Sequence, residues 1–287
     1  MDNVDLLFLL GEARVRPFAG RAIVFSPDSG ADLDGRIDAL CRRAGMADLP
    51  RHGDIWRRFG FGDVIGGLAL ESAGTFGLEA VNLPDHLLGS FDVAIDLGES
   101  TRRFHMPNAM ANLCRLVRSG GRIVHAVPSC NHVDRAFYMM SPTYYQDFYT
   151  ANGFALEAIQ IARCPPSGPV EFLAYRPGEL RPIAHGGLDR GPYRLFCVAR
   201  KQGHSTADAF PQQGLYVRAW AEPRRQTAPG LSVAAPVRPT ARSRLADALR
   251  RNRAIYRLIY LVLTPRKRRR LIGQCMPVVA RYDVTPE

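Results

Sequence analysis

Between Ser129 and Ser141 the chain reads SCNHVDRAFYMMS, and this short stretch holds Ser129, Asn131, His132, Asp134 and Tyr138. Imidazole and carboxylate groups are the side chains best suited to take a proton from a reacting group near neutral pH, so His132 and Asp134 form the candidate catalytic pair. The hydroxyls of Ser129 and Tyr138 and the amide of Asn131 can orient a polar ligand, which makes them the candidate substrate-binding residues. The plainer alternative is that Asn131 and Asp134 shape a turn while His132 faces water. His125, inside the apolar run RIVHAV, reads as a buried, hydrogen-bonded core histidine rather than a catalyst.

Other chemistries lack their usual signals. The sequence has neither a GxxxxGK phosphate loop nor a GxSxG elbow. Asp32-Leu33-Asp34 spells a DxD, but it opens a predicted helix, where acids are already explained by the helix dipole. Histidines and cysteines nowhere fall at metal-ligand spacing, so no metal is expected. The six cysteines (Cys41, Cys114, Cys130, Cys164, Cys197, Cys275) form no CxxC pair, which fits a reducing cytoplasm better than a disulfide framework. MDNVDLLFLLGEAR carries acids where a secretory signal needs bases, so a cytoplasmic location is expected.

Seven apolar runs bounded by Gly, Pro and Asp predict strands at about 21–26, 63–70, 78–83, 91–96, 121–127, 154–162 and 193–199, with an eighth or an edge strand at 170–175. Helices are predicted at about 32–44, 107–118 and 142–152. Pro107 suits a first helical turn, and Ser141-Pro142 suits an N-cap followed by a first residue. Alternation of helices and strands predicts an α/β fold with a mostly parallel sheet. Ligands of such sheets bind at the carboxyl ends of the strands, which is where Asp96 falls; capping of the following turn is its alternative role.

Two segments carry a family resemblance. FDVAIDLGESTRRFHMPNAMANLCRLVRSGGRIVHAVPS, residues 91–129, resembles the fourth strand, following helix and fifth strand of class I S-adenosylmethionine-dependent methyltransferases. NHVDRAFYMMSPTYYQDFYTANGF, residues 131–154, resembles a bacterial branch of that family. The resemblance implies a three-layer Rossmann-like fold with a seven-stranded sheet and S-adenosyl-L-methionine as cofactor. It implies Glu71 as acceptor for the ribose hydroxyls, Asn82 near the adenine, and Ser26 and Asp96 at the ends of the first and fourth strands. The loop from Ser129 to Ser141 would then help close the site of a small-molecule, sugar or lipid acceptor. The sequence departs from the family at the glycine-rich turn after the first strand, which here reads Ser26-Pro27-Asp28-Ser29-Gly30. That departure favours the rival reading, a methyltransferase-like scaffold or membrane-associated module without catalysis.

The net charge of +11 is unevenly placed: residues 215–287 hold 16 Arg/Lys and 4 Asp/Glu, against 22 and 23 in residues 1–214. A body without a basic stripe argues against a nucleic-acid partner, which ranks last. The expected organisation is a methyltransferase-like domain at 1–201, a flexible linker at 202–240 and a basic amphipathic tail at 241–287. Within the tail, residues 242–270 combine 11 Arg/Lys and one acid with an apolar helical face, suited either to peripheral contact with an anionic membrane, such as its inner face, or to docking on the domain.

Overall fold

The structure, a computed structural model, describes residues 1–26, 33–45, 54–74, 76–165, 168–177, 188–189, 191–214, 269–270 and 272–282. Two helices precede and follow the first strand: α1 (Asn3–Val15), β1 (Arg21–Phe25) and α2 (Leu33–Arg43). After α3 (Ile55–Arg58) the chain forms β2 (Asp63–Gly66), α4 (Gly67–Ser72), β3 (Phe91–Asp96), α5 (Glu99–Arg102), α6 (Met106–Leu116) and the long β4 (Val117–Cys130). Then come α7 (Pro142–Ala151), β5 (Ala155–Arg163), β6 (Val170–Ala174), β7 (Tyr193–Arg200) and β8 (Val278–Tyr282).

These strands form one α/β sheet of eight, in the order β2-β1-β3-β4-β7-β5-β6-β8. Pairings among β2, β1, β3 and β4 are parallel, and the four pairings from β4 outward to β8 are antiparallel. The sheet is therefore mixed, with eight strands rather than a mostly parallel seven. Alternation along the strands splits the core into two layers. Ile23, Phe25, Ala94 and Ile123 join α6 and α7 on one face. Ala22, Val24, Val93, Ile95, Val124 and Ala126 join α1 and α2 on the other. Burying each large apolar side chain contributes roughly 1.5–3 kcal/mol, and α1 alone buries Leu6, Leu7, Leu9 and Leu10 completely or nearly so.

Several expectations need correction. The predicted strand at 63–70 stops at Gly66, and the rest is α4. Gly67 makes that turn possible, because a Cβ there would stand 2.2 Å from the Phe25 ring. The predicted strand at 78–83 is a turn: Asn112 Nδ2 donates to the carbonyls of Leu78 and Ala80, both at 2.8 Å. The family's third strand thus has no counterpart among the described residues. Of the two alternatives for 170–175, an additional strand or an edge strand, the first holds: β6 is a strand inside the sheet, since β8 pairs with it.

Residues 202–214, expected as linker, lie against the body. Ala207 is buried, the Asn152 amide exchanges hydrogen bonds with Thr206 and Ala209, and Gly214 N donates to Asp147. Of the basic stretch 242–270, only 269–270 lie within the described residues. Farther on, Ile272 and Met276 are buried in the α6/α7 layer, so the end of the chain supplies both core and strand. Among the described residues no helix is long and apolar enough to cross a membrane.

Candidate functional site

Sheet order marks a candidate ligand crevice by topology alone. The chain runs from β1 to β2 on one side and then crosses back past β1 to β3 on the other, and such a reversal of strand order is the switch point where open α/β sheets bind ligands at the strands' carboxyl ends. Ser26 stands half-buried just past β1. Glu71 sits in α4, directly after β2, where one carboxylate oxygen accepts from Leu78 N and the other pairs with Arg103, just past α5, at 2.6 Å. This ion pair joins the segments following β2 and β3, the two neighbours of β1. Asn82 is exposed on the turn that Glu71 and Asn112 pin at Leu78.

Asp96 is fully buried at the end of β3. It lies opposite His125 in the β3–β4 register, so their side chains share the α7 face of the sheet. Its carboxylate accepts from Ser100 N at 3.1 Å, from Ser100 Oγ, and from His125 Nδ1 at 2.9 Å. His125 Nε2 meets the Tyr149 hydroxyl at 2.6 Å. Burial alone would push the Asp96 carboxyl up, but the bonds from His125 and Ser100 outweigh it and hold the group below the usual range. Asp96 is thus a sealed structural acid that fixes the turn into α5. His125 is the core histidine its apolar strand suggests.

Tested against S-adenosylmethionine, this donor set fits in part. A carboxylate offers about four acceptor positions, so Glu71 can take ribose hydroxyls in addition to Leu78 N and Arg103. Its side chain retains 14% exposure. Asp96 does not fit, because nothing bound outside the core reaches it.

Around the corner of the same edge, on the α1 face, lies a cavity of about 590 Å³. Its walls come from the start of α1 (Asp2, Asp5), the turn after β3 (Leu97, Gly98, Thr101, Arg102), the loop after β4 (Asn131, His132, Val133, Arg135) and the start of β7 (Arg194). Gly98 shapes one wall through a φ of +93°, a conformation that favours glycine. Asp2 and Asp5 form a reciprocal capping box at the helix start. Arg194 reaches Asp2 at 2.7 Å and Asp5 at 2.7 Å. Burial pushes the Asp5 carboxyl up to about 7 against the pull of Arg194.

His132 lines this cavity, and its Nε2 is buried without a hydrogen-bond partner. Burial, then the Arg194 charge, lowers its pKa, which favours the neutral imidazole. Asp134 is exposed at a φ of 66° and Asn131 at 61°, both shaping the loop. Among the other expected ligand contacts, Ser129 Oγ donates to Met140 O at 2.8 Å, Asn131 Nδ2 to Asp189 O and Gly191 O, and Tyr138 OH to Phe104 O at 2.8 Å. These three hold the loop in shape. Asp5, Arg102, Arg135 and Arg194 were not foreseen. The Asp-x-x-Asp spacing at the helix start and the lone arginine in the apolar run YRLFCVA were the available signals.

No protein-family model matches this chain, and no curated protein sequence does. Solved structures do match. The YcgJ protein of Bacillus subtilis is 13% identical, covering 69% of this chain and 98% of its own, with a TM-score of 0.40. A 1,6-didemethyltoxoflavin N1-methyltransferase of Burkholderia thailandensis, solved with S-adenosylhomocysteine, is 16% identical over 70% of this chain and 78% of its own, with a TM-score of 0.34. The N-methyltransferase NodS of Bradyrhizobium japonicum is 11% identical over 70% and 94%, with a TM-score of 0.36. At these identities and TM-scores no residue role is transferred from them. Among the described residues no group of His, Cys, Asp and Glu could hold a metal ion.

Proposed function

We propose that the protein is an S-adenosylmethionine-dependent methyltransferase acting on a small-molecule, sugar or lipid acceptor. The observation that carries this reading is the partly exposed Glu71 carboxylate, held by Leu78 N and Arg103 beside the β1 switch point. Ser26, Glu71 and Asn82 would hold the cofactor, whose sulfonium supplies an electrophilic methyl group. Asp96 acts at one remove, through Ser100 and α5. His132, which lines the cavity and whose pKa burial lowers, would accept the proton on the acceptor side. Asp134, exposed and outside the cavity lining, shapes the loop through its φ of 66° and takes no proton-transfer role in this reading. Ser129, Asn131 and Tyr138 keep the wall in place by their bonds to Met140, Asp189, Gly191 and Phe104, so that attack is governed by alignment.

Calorimetric titration with S-adenosylmethionine and S-adenosylhomocysteine tests this reading. Micromolar binding is expected, weakened more than tenfold in Glu71→Ala, because a charged acceptor for hydroxyls is worth roughly 1.5–3 kcal/mol. Glu71→Ala also releases Leu78 N and Arg103, so a thermal melt must accompany it. A second reading, a non-catalytic binding module, is favoured by the closure of Asp96 and the pairing of Glu71. No binding at millimolar cofactor would establish it instead.

A further inference from the structure

Exposed apolar side chains cluster beside the cavity. Among the described residues ten large hydrophobics stand exposed, and four of them, Phe104 (69%), Val133 (73%), Phe137 (69%) and Met139 (49%), belong to two touching segments. The Phe104 and Phe137 rings meet edge to face at 6.1 Å, and Tyr138 OH ties the segments together at Phe104 O. Single exposed apolar residues need no explanation, but a contiguous set does. Val133, on the same loop as Phe137 and Met139, also lines the cavity, so this loop carries exposed apolar side chains both at the cavity wall and at the Phe104–Phe137 pair.

The cavity itself favours an anion. Three guanidiniums, Arg102, Arg135 and Arg194, line it against two carboxylates, Asp2 and Asp5. Arg194 is held by those two acids, and Arg102 pairs with Glu99 at 2.6 Å. Arg135 makes no ion pair among the described residues and is exposed at the mouth. Burial raises the Asp5 carboxyl to about 7, which reduces the opposing negative charge. Asp134, the acid on the same loop, does not line the cavity.

We propose that cavity and patch together bind an anionic amphiphile, with its phosphate headgroup beside Arg102, His132 and Arg135 and its alkyl chain across Phe104, Val133, Phe137 and Met139. That this amphiphile is the methyl acceptor rests on the transferase reading; its binding does not.

The test is calorimetric titration of the full chain with inorganic phosphate, with octyl phosphate below its micelle concentration, and with octyl glucoside. Each methylene removed from water adds about a factor of four in affinity, so octyl phosphate is expected to bind at least tenfold more tightly than phosphate. The double variant F104S/F137S should erase that difference and leave phosphate binding intact. R135Q should weaken both anions severalfold. Co-sedimentation with phosphatidylglycerol vesicles separates the sources: loss of vesicle binding in F104S/F137S identifies a bilayer lipid, and octyl phosphate binding without vesicle binding identifies a free amphiphile. Either supports the site. Equal affinity for phosphate and octyl phosphate, equal affinity for octyl phosphate and octyl glucoside, or indifference to both variants overturns it. S-adenosylhomocysteine titrated into the same samples reports on the cofactor reading separately.

Discussion

Asp96 and Asp5 are both buried aspartates near the carboxyl edge of one sheet, and their surroundings drive them in opposite directions. Asp96, on the α7 face, receives hydrogen bonds from Ser100 N, Ser100 Oγ and His125 Nδ1, and its pKa is held low. Asp5, on the α1 face, has Arg194 and Asp2 N for partners, but burial, helped by the neighbouring Asp2 carboxylate, outweighs them and its pKa rises to about 7. The first is what a protein does with a polar group it means to keep as structure. The second is what remains where a cavity takes the place of partners. Degree of satisfaction, more than residue type or position on the edge, separates architecture from a site.

The sharpest way to break this contrast is Asp96→Ala. It strands His125 and Ser100 in the core, and removing one partner of such a buried set costs about 3–5 kcal/mol, read as a large fall in thermal midpoint. If the loss is no greater than for a surface acid, Asp96 is not the anchor described. Next in size is the effect of His132→Ala on turnover, a fall of roughly 10²–10⁴-fold if this imidazole accepts the proton. With Nε2 unpartnered and a backbone contact to Tyr193 as the ring's hydrogen bond, the melting temperature should fall far less than for Asp96→Ala.

The smallest effect concerns pH. The folded pKa of Asp5 lies above the unfolded value of 3.8, so the native state retains a proton that the unfolded chain releases. Stability from this group is therefore full below about 3.8 and declines as pH rises toward about 7. Asp96 has the opposite sign, its contribution being lost as pH falls below its unfolded value. Denaturant titrations from pH 5 to 8 should show a decline that Asp5→Asn flattens; an unchanged slope would remove Asp5 from the comparison.

Much of the central sheet was legible, for physical reasons that can be named. Strand β3, the part of β4 from Gly121 to Ser129, and β7 are buried on both faces and so appear as largely apolar runs, and α7 announces itself through Ser141-Pro142. Helix α1 was missed because every residue from Asn3 to Leu10 is buried, which erases the polar face that marks a helix. The false strand at 78–83 had a strand's composition, but Glu71 and Asn112 hold its backbone in a turn from elsewhere in the chain. Strand β8 was invisible because VVARY is short and half exposed, and its partner lies about a hundred residues away. At the site, residue types were easier to read than burial: Asp96 stands at the strand end, where the sequence put it, but faces inward.

Because β8 completes the sheet and Ile272 and Met276 enter the core, the arginine-rich stretch 215–268 is moored at both ends, at Gly214 and again beyond Arg269. A protease that cuts after arginine has many targets there. One cut would convert an intramolecular strand pairing into an association between two peptides, governed from then on by concentration. A chain split once within 215–268, by a specific protease site inserted there, should give two fragments on a denaturing gel that travel as one species on a native column, and dilution should separate them. A fragment that leaves at once would mean that the last strand rides on the sheet without holding it.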